Sequence, residues 1–183
     1  NSAGQLGDGT LVDRLAPVQI GTDSNWAFVA LGPSHTLGIK GNGELYGWGL
    51  NTNYQLGDGT NVNRLAPVRI GSGTNWVRVA AGFTHTLGIQ STGQLYSWGN
   101  GANGRLGRGT GASFSSPAFV GFDNDWVAVA AGGLHSLAIK SGGQLWAWGN
   151  TDQGQVGWGS TGNLWVPVRI GTAANWMSIS AGY

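Results

Sequence analysis

The 183-residue sequence contains no cysteine, which removes disulfide frameworks, thiolate nucleophiles and cysteine-based zinc sites together. Charge is almost as scarce. Lys, Arg, Asp and Glu make up 9% of the residues and leave a net charge of +1. No run of Lys or Arg occurs, so the basic footprint of a nucleic-acid binder is missing. No apolar run approaches the roughly 18 residues that span a bilayer, and no signal-peptide pattern opens the chain. Neither membrane insertion nor nucleic-acid binding is expected. No stretch keeps a helical period either.

What is abundant is glycine, 35 residues, and tryptophan, 10 residues, in a chain that is 40% hydrophobic. No Gly-X-Y period accompanies the glycine, so collagen is excluded and many tight turns are expected. The organising fact is a repeat. Trp26, Trp76, Trp126 and Trp176 are separated by 50 residues each, and His35, His85 and His135 keep that spacing, as do Trp48, Trp98 and Trp148. Pro17, Pro67, Pro117 and Pro167 follow it too, with the loops "QLGDGT", "QLGDGT", "RLGRGT" and "QVGWGS".

Each unit reads as strands. In "WVRVAAG" (76–82) Val77, Val79 and Ala81 alternate with Trp76, Arg78 and Ala80, the two-residue period of a strand. "HTLGIQ" follows a short bend, "STG" reads as a hairpin turn, and "QLYSWG" as a third strand. A long Gly/Asn loop leads to "APVRIG", a fourth strand with proline at its entry. Four strands per unit without helices predict an all-β fold, a β-propeller of four-stranded blades. The units run over 26–71, 76–121 and 126–171. Residues 1–21 supply the loop and outer strand of a preceding blade, and 176–183 the first strand of a following one. A closed ring needs roughly twice this length. The expectation is therefore a piece of a longer polypeptide, or self-association if the chain is complete.

The succession "AGFTHTLGIQSTGQLYSWGN" with "GQLYSWG", "QLGDGT" and "APVRIG" resembles the repeats of the regulator of chromosome condensation family, over essentially the whole chain. The resemblance implies a propeller of about seven blades, of which this chain would be about half. It also implies a structural role for His35, His85 and His135. Kelch propellers are marked by a glycine doublet, which is irregular here, and WD repeats by a Trp-Asp that is absent. Plant ultraviolet photoreceptors share the fold, but their Gly-Trp-Arg-His-Thr signature is not present.

The histidines are the obvious candidates for catalysis or metal binding. Propeller symmetry holds equivalent positions apart, so three of them do not converge on one ion. Their expected role is a side-chain hydrogen bond tying adjacent turns, with Trp48, Trp98 and Trp148 packing between blades. The Asx/Gly loops could suggest calcium, yet Asp8 and Asp58 become Arg108 and Trp158 while the glycines stay, so turn formation explains them. "GRLGRGTG" lacks the ending of a phosphate loop, and no Gly-x-Ser-x-Gly elbow exists. No cofactor, metal or catalytic residue is expected, and the chain does not read as an enzyme.

Scaffold positions must repeat to stack, whereas positions free of stacking diverge. The copies differ at the bend before each histidine, with Phe83, Thr84 and Leu134, and in the long loop, with Arg108, Phe114, Trp158 and Trp165. Exposed aromatics and arginine suit a protein partner. The expected function is a non-enzymatic binding scaffold for an unidentified protein. The resemblance adds nucleotide exchange on a Ran-type GTPase as an alternative, although no wedge hairpin interrupts the 50-residue units and no basic tail is present. A structural array in a bacterial surface protein is a third reading, suggested by near-identical units and low charge. That reading places the protein outside a bacterial cell, and the composition leaves the compartment open.

Overall fold

The computed structural model describes residues 1–182. Twelve strands and one 3₁₀ turn are formed among them. The first sheet holds β1 (Trp26–Leu31), β2 (His35–Lys40), β3 (Leu45–Gly49) and β4 (Arg64–Arg69). The second holds β5 (Trp76–Ala81), β6 (His85–Gln90), β7 (Leu95–Gly99) and β8 (Phe114–Phe119). The third holds β9 (Trp126–Ala131), β10 (His135–Lys140), β11 (Leu145–Asn150) and β12 (Asn163–Arg169). Each sheet is an antiparallel meander in chain order, and the three are blades of a β-propeller. The 3₁₀ turn, Ala102–Gly104, interrupts the loop before β8.

First strand β1 contacts β5, and β5 contacts β9, so the first strands form the inner edge and the fourth strands the outer one. Sheets bury their faces pairwise. Leu37, Ile39, Leu45, Leu56 and Ile70 of the first blade pack on Trp76, Val79 and Trp98 of the second. Leu87, Ile89, Leu95 and Val120 of the second pack on Trp126, Ala138 and Trp148 of the third. Each such side chain contributes about 1.5–3 kcal/mol on burial, and none is covered by its own sheet alone.

The simple alternation read in "WVRVAAG" does not hold. A register shift lies between Trp76 and Arg78 where β5 pairs with β6, and the same irregularity recurs in β1 and β9. A bulge sets two residues opposite one, so Trp76 and Val79 both reach the core while Val77 and Arg78 are exposed.

Residues 1–25 and 170–182 contain no strand. The outer strand expected within 1–21 is not formed, because a fourth strand exists only as a ladder partner of a third, and none stands beside it among the described residues. The first strand expected over 176–183 is likewise unformed as far as Gly182, with Tyr183 outside the described residues. Residue 176 still bonds the neighbouring hairpin, Trp176 N–H donating to Gly143 O at 3.1 Å.

Antiparallel alternation decides where the connections fall. The bends before the histidines and the long third-to-fourth strand loops share one end of the blades. The tight second-to-third strand hairpins share the other.

Candidate functional site

His35 and His85 occupy the blade junctions. His35 Nε2 lies 3.1 Å from Thr86 Oγ1, and His85 Nε2 lies 2.9 Å from Ser136 Oγ. Each hydroxyl in turn donates to a loop carbonyl: Thr86 to Gln55 O at 2.7 Å, and Ser136 to Arg105 O at 2.8 Å. A hydroxyl has one proton to give, so both histidines must donate from Nε2, which leaves Nδ1 as the bare nitrogen. Nδ1 of His35 and of His85 is buried without a hydrogen-bond partner. Burial lowers the pKa of His35 from 6.5 to about 4 and of His85 to about 3, the latter also pushed by Arg105, His35 and His135. Burial lowers His135 as well. His35 and His85 are neutral, enclosed links between blades, a poor arrangement for proton transfer to a substrate. Among the described residues, no group of three or more His, Cys, Asp or Glu could hold a metal ion.

The long loops are clasps between blades. The carbonyl of Gln55, in the first blade's loop, accepts from Trp98 Nε1 of the second at 3.0 Å, and Arg105 O accepts from Trp148 Nε1 at 2.9 Å. Gly57 shows why glycine is needed there. Its φ is +79°, and a Cβ would stand 2.6 Å from Trp98 Nε1. Within the loop, Asn51 Nδ2 donates to Thr60 O at 2.8 Å and Asp58 Oδ1 at 3.0 Å. Asp58 also pairs with Arg64 at 2.7 Å. Burial alone would raise the Asp58 carboxyl, and bonds from Thr60, Arg64 and Asn51 overcome it and hold the pKa below its ordinary value.

Two sequence profiles described as the regulator of chromosome condensation (RCC1) repeat match residues 42–89, 92–139 and 142–183, and 26–55, 76–105 and 126–155. The chain belongs to the RCC1 repeat family. Human WBSCR16 is similar in structure, with 27% identity and a TM-score of 0.71, over 80% of this chain and 39% of its own. Prp20p from Saccharomyces cerevisiae gives 25% identity and a TM-score of 0.78, over 86% of this chain and 42% of its own. The same yeast RCC1 in its complex with Kap60 gives 24% and 0.78, over 89% and 41%. The chain thus spans about two fifths of each. No curated protein sequence matches it. Among the described residues no helix is long and apolar enough to cross a membrane.

Against the RCC1 repeat, the candidate contact residues separate into distinct groups. Phe83 and Leu134 are 41% and 42% exposed at the bends, and Phe83 lines a hollow of about 170 Å³ with Pro33, Gly82, Ala131 and Gly133. Thr84 is half-buried and accepts from Arg105 Nη1 at 2.8 Å. Arg108 and Phe114 are not free rim residues. Phe114 opens β8 and packs on the core, with the Arg108 guanidinium 4.1 Å from its ring centroid and donating to Phe119 O. Trp165 lies in β12 and is exposed, and a Cβ on Gly111 of the neighbouring loop would touch its ring at 3.4 Å. Trp158 is 45% exposed on the last loop, beyond which no further sheet stands among the described residues. Its exposure therefore belongs to an open blade face.

Differences in the loop are coupled. Positions 58 and 64 carry Asp and Arg as an ion pair, whereas their equivalents 108 and 114 carry Arg and Phe as a cation–π pair. The same trade occurs at the other end. Lys140 pairs with Asp125 at 3.1 Å, and at the equivalent positions of the second blade Asn75 donates to Gln90 at 3.1 Å. Divergence here conserves a pair interaction, a signal that single positions do not carry. Asp58→Arg should destabilise by about 1–2 kcal/mol, as a second cation faces Arg64 and Asn51 loses an acceptor. Adding Arg64→Phe should recover about half of that loss, measured as a coupling energy by urea denaturation of the double-mutant cycle. Additive losses would show that the two pairs are not interchangeable.

Proposed function

We propose that the chain is a non-enzymatic RCC1-repeat scaffold that binds a protein partner at the end of the blades carrying the histidine bends. One observation carries this reading: the side chains with chemistry are consumed within the scaffold, while at the same end Pro33, Phe83 and Leu134 stay exposed around the inner strands. An apolar set on a rigid frame loses little entropy on docking. The yeast relative's structure is reported with binding to Gsp1p and histones, and protein binding is the use this fold supports. Nucleotide exchange is the second reading, supported only by that relative.

Immobilised protein should retain a discrete partner that a Phe83→Ala/Leu134→Ala variant releases at least about tenfold faster, since buried aromatic and aliphatic anchors dominate such contacts. Equal retention by the variant moves the surface elsewhere. Accelerated nucleotide release across a panel of GTPases would establish exchange instead.

A further inference from the structure

The repeat puts glutamine at positions 5, 55 and 155 and arginine at 105. Arg105 is 4% exposed. Its guanidinium donates to three neutral acceptors: Ala102 O at 2.8 Å, Thr84 Oγ1 at 2.8 Å and Asn103 Oδ1 at 3.0 Å. Arg14 pairs with Asp8, Arg64 with Asp58, Arg69 with Glu44, and Lys40 and Lys140 with aspartates. Arg78, Arg105, Arg108 and Arg169 have no carboxylate among the described residues, and of these four only Arg105 is buried. Its loop, 100–113, contains no acidic residue at all. Burial alone lowers its pKa, and His85, whose protonation Arg105 opposes, is neutral. Buried charges are ordinarily paired, so the site is short of one anion.

The position of that deficit is specific. Arg105 reaches Thr84, beside exposed Phe83. A Cβ on Gly149 would lie 2.6 Å from Leu134 O and 3.4 Å from Arg105 Cα, so the backbone of the Leu134 bend runs beside the backbone of Arg105. We propose that this spot takes a carboxylate side chain from an acidic segment of the partner, with an adjoining apolar residue seated on Phe83 and Leu134. The carboxylate accepts the guanidinium N–H bonds that neutral acceptors leave unused, a charge-assisted contact in a water-poor setting. The inference rests on the partner-binding reading above and names the chemistry of its anchor.

The repeat itself supplies the test, because Arg105→Gln restores the residue found in the other copies and should fold. A C-terminally amidated peptide carrying alternating Glu/Asp and Phe/Leu is titrated against the full chain, followed by amide NMR shifts and calorimetry. Saturable binding with shifts at residues 83–84, 103–105 and 134 is expected. Gln/Asn replacement of the acids, or Arg105→Gln, should each weaken it at least about tenfold, the value of a hydrogen-bonded charge. The melting temperature of Arg105→Gln should hold or rise, since an unpaired buried charge is removed. Unchanged affinity in Arg105→Gln with binding lost in Phe83→Ala overturns the carboxylate anchor and leaves the scaffold reading standing. Loss in neither variant overturns both. A lower melting temperature with unchanged affinity marks Arg105 as a tether for Thr84 alone. Tighter binding of single-stranded DNA than of the acidic peptide would also overturn the proposal.

Discussion

Acidification from pH 7 to about pH 4 is expected to unfold the blades through their histidines. In the folded chain the pKa of His35 is lowered to about 4 and that of His85 to about 3, against about 6.5 in an unfolded chain. Between these values the unfolded state binds more protons than the folded state. Stability is therefore complete above about pH 6.5 and falls progressively as the pH drops toward 3–4. Each shift corresponds to about 3–5 kcal/mol at its limit, against a total of about 5–15 kcal/mol for a domain. The geometry explains the size. A proton on Nδ1 would create a second buried donor, pressed against Gly82 at the place where Gly132 O already accepts from Phe83 N at 3.2 Å.

The measurement is tryptophan fluorescence and far-UV circular dichroism against pH, with urea denaturation at each step. Carboxylates also titrate near pH 4, so the informative window is pH 5–6.5, where they contribute little. Stability should already decline there. His85→Gln should lose the Ser136 link and destabilise by about 1–3 kcal/mol at pH 7, but with a shallower slope in that window. An unchanged slope would remove His85 as the acid-sensitive group.

A methyl group at Gly93 should be among the most damaging single changes available. Gly93 has φ +78°, and a Cβ would stand 1.9 Å from Asn124 O and 2.6 Å from Asn124 C. Both atoms are backbone, so no side chain can swing aside. The same carbonyl-to-hairpin contact recurs at Gly43 with Thr74 O at 2.1 Å and at Gly143 with Ala174 O at 2.4 Å. Gly93 O also accepts from Trp126 N–H at 3.1 Å, so displacement of the hairpin breaks an inter-blade bond as well. Gly93→Ala is expected to cost more than about 3 kcal/mol, the sum of left-handed strain and overpacking. In a chain of this size that is roughly a 6–12 °C fall in melting temperature. Gly71→Ala separates the two causes, because Gly71 has φ +63° with open space around its missing Cβ. It should cost only about 1–2 kcal/mol. Equal losses at the two positions would refute the steric account.

Much of the architecture was readable because it is local and periodic. Strand pairs, hairpin turns and the succession of four strands follow from residues within one 50-residue unit, and repetition tests each assignment against its copies. The bulge after Trp76 was not readable. It trades one face for another without changing composition, and only the paired strand shows which residue is extra. The coupled exchange of Asp58 and Arg64 for Arg108 and Phe114 was partly visible as two separate substitutions. It became one event once their contact was seen.

By itself the sequence determined the all-β repeat, its period and the placement of one histidine and one glycine-rich loop per unit. The tertiary structure decided whom each of these serves. The bonds that join blades span 51 residues from His85 to Ser136, 43 from Trp98 to Gln55 and 31 from Thr86 to Gln55. No local pattern encodes a partner at that distance, because it depends on how one sheet twists against the next. That same packing buries Arg105 and leaves its charge without a carboxylate among the described residues.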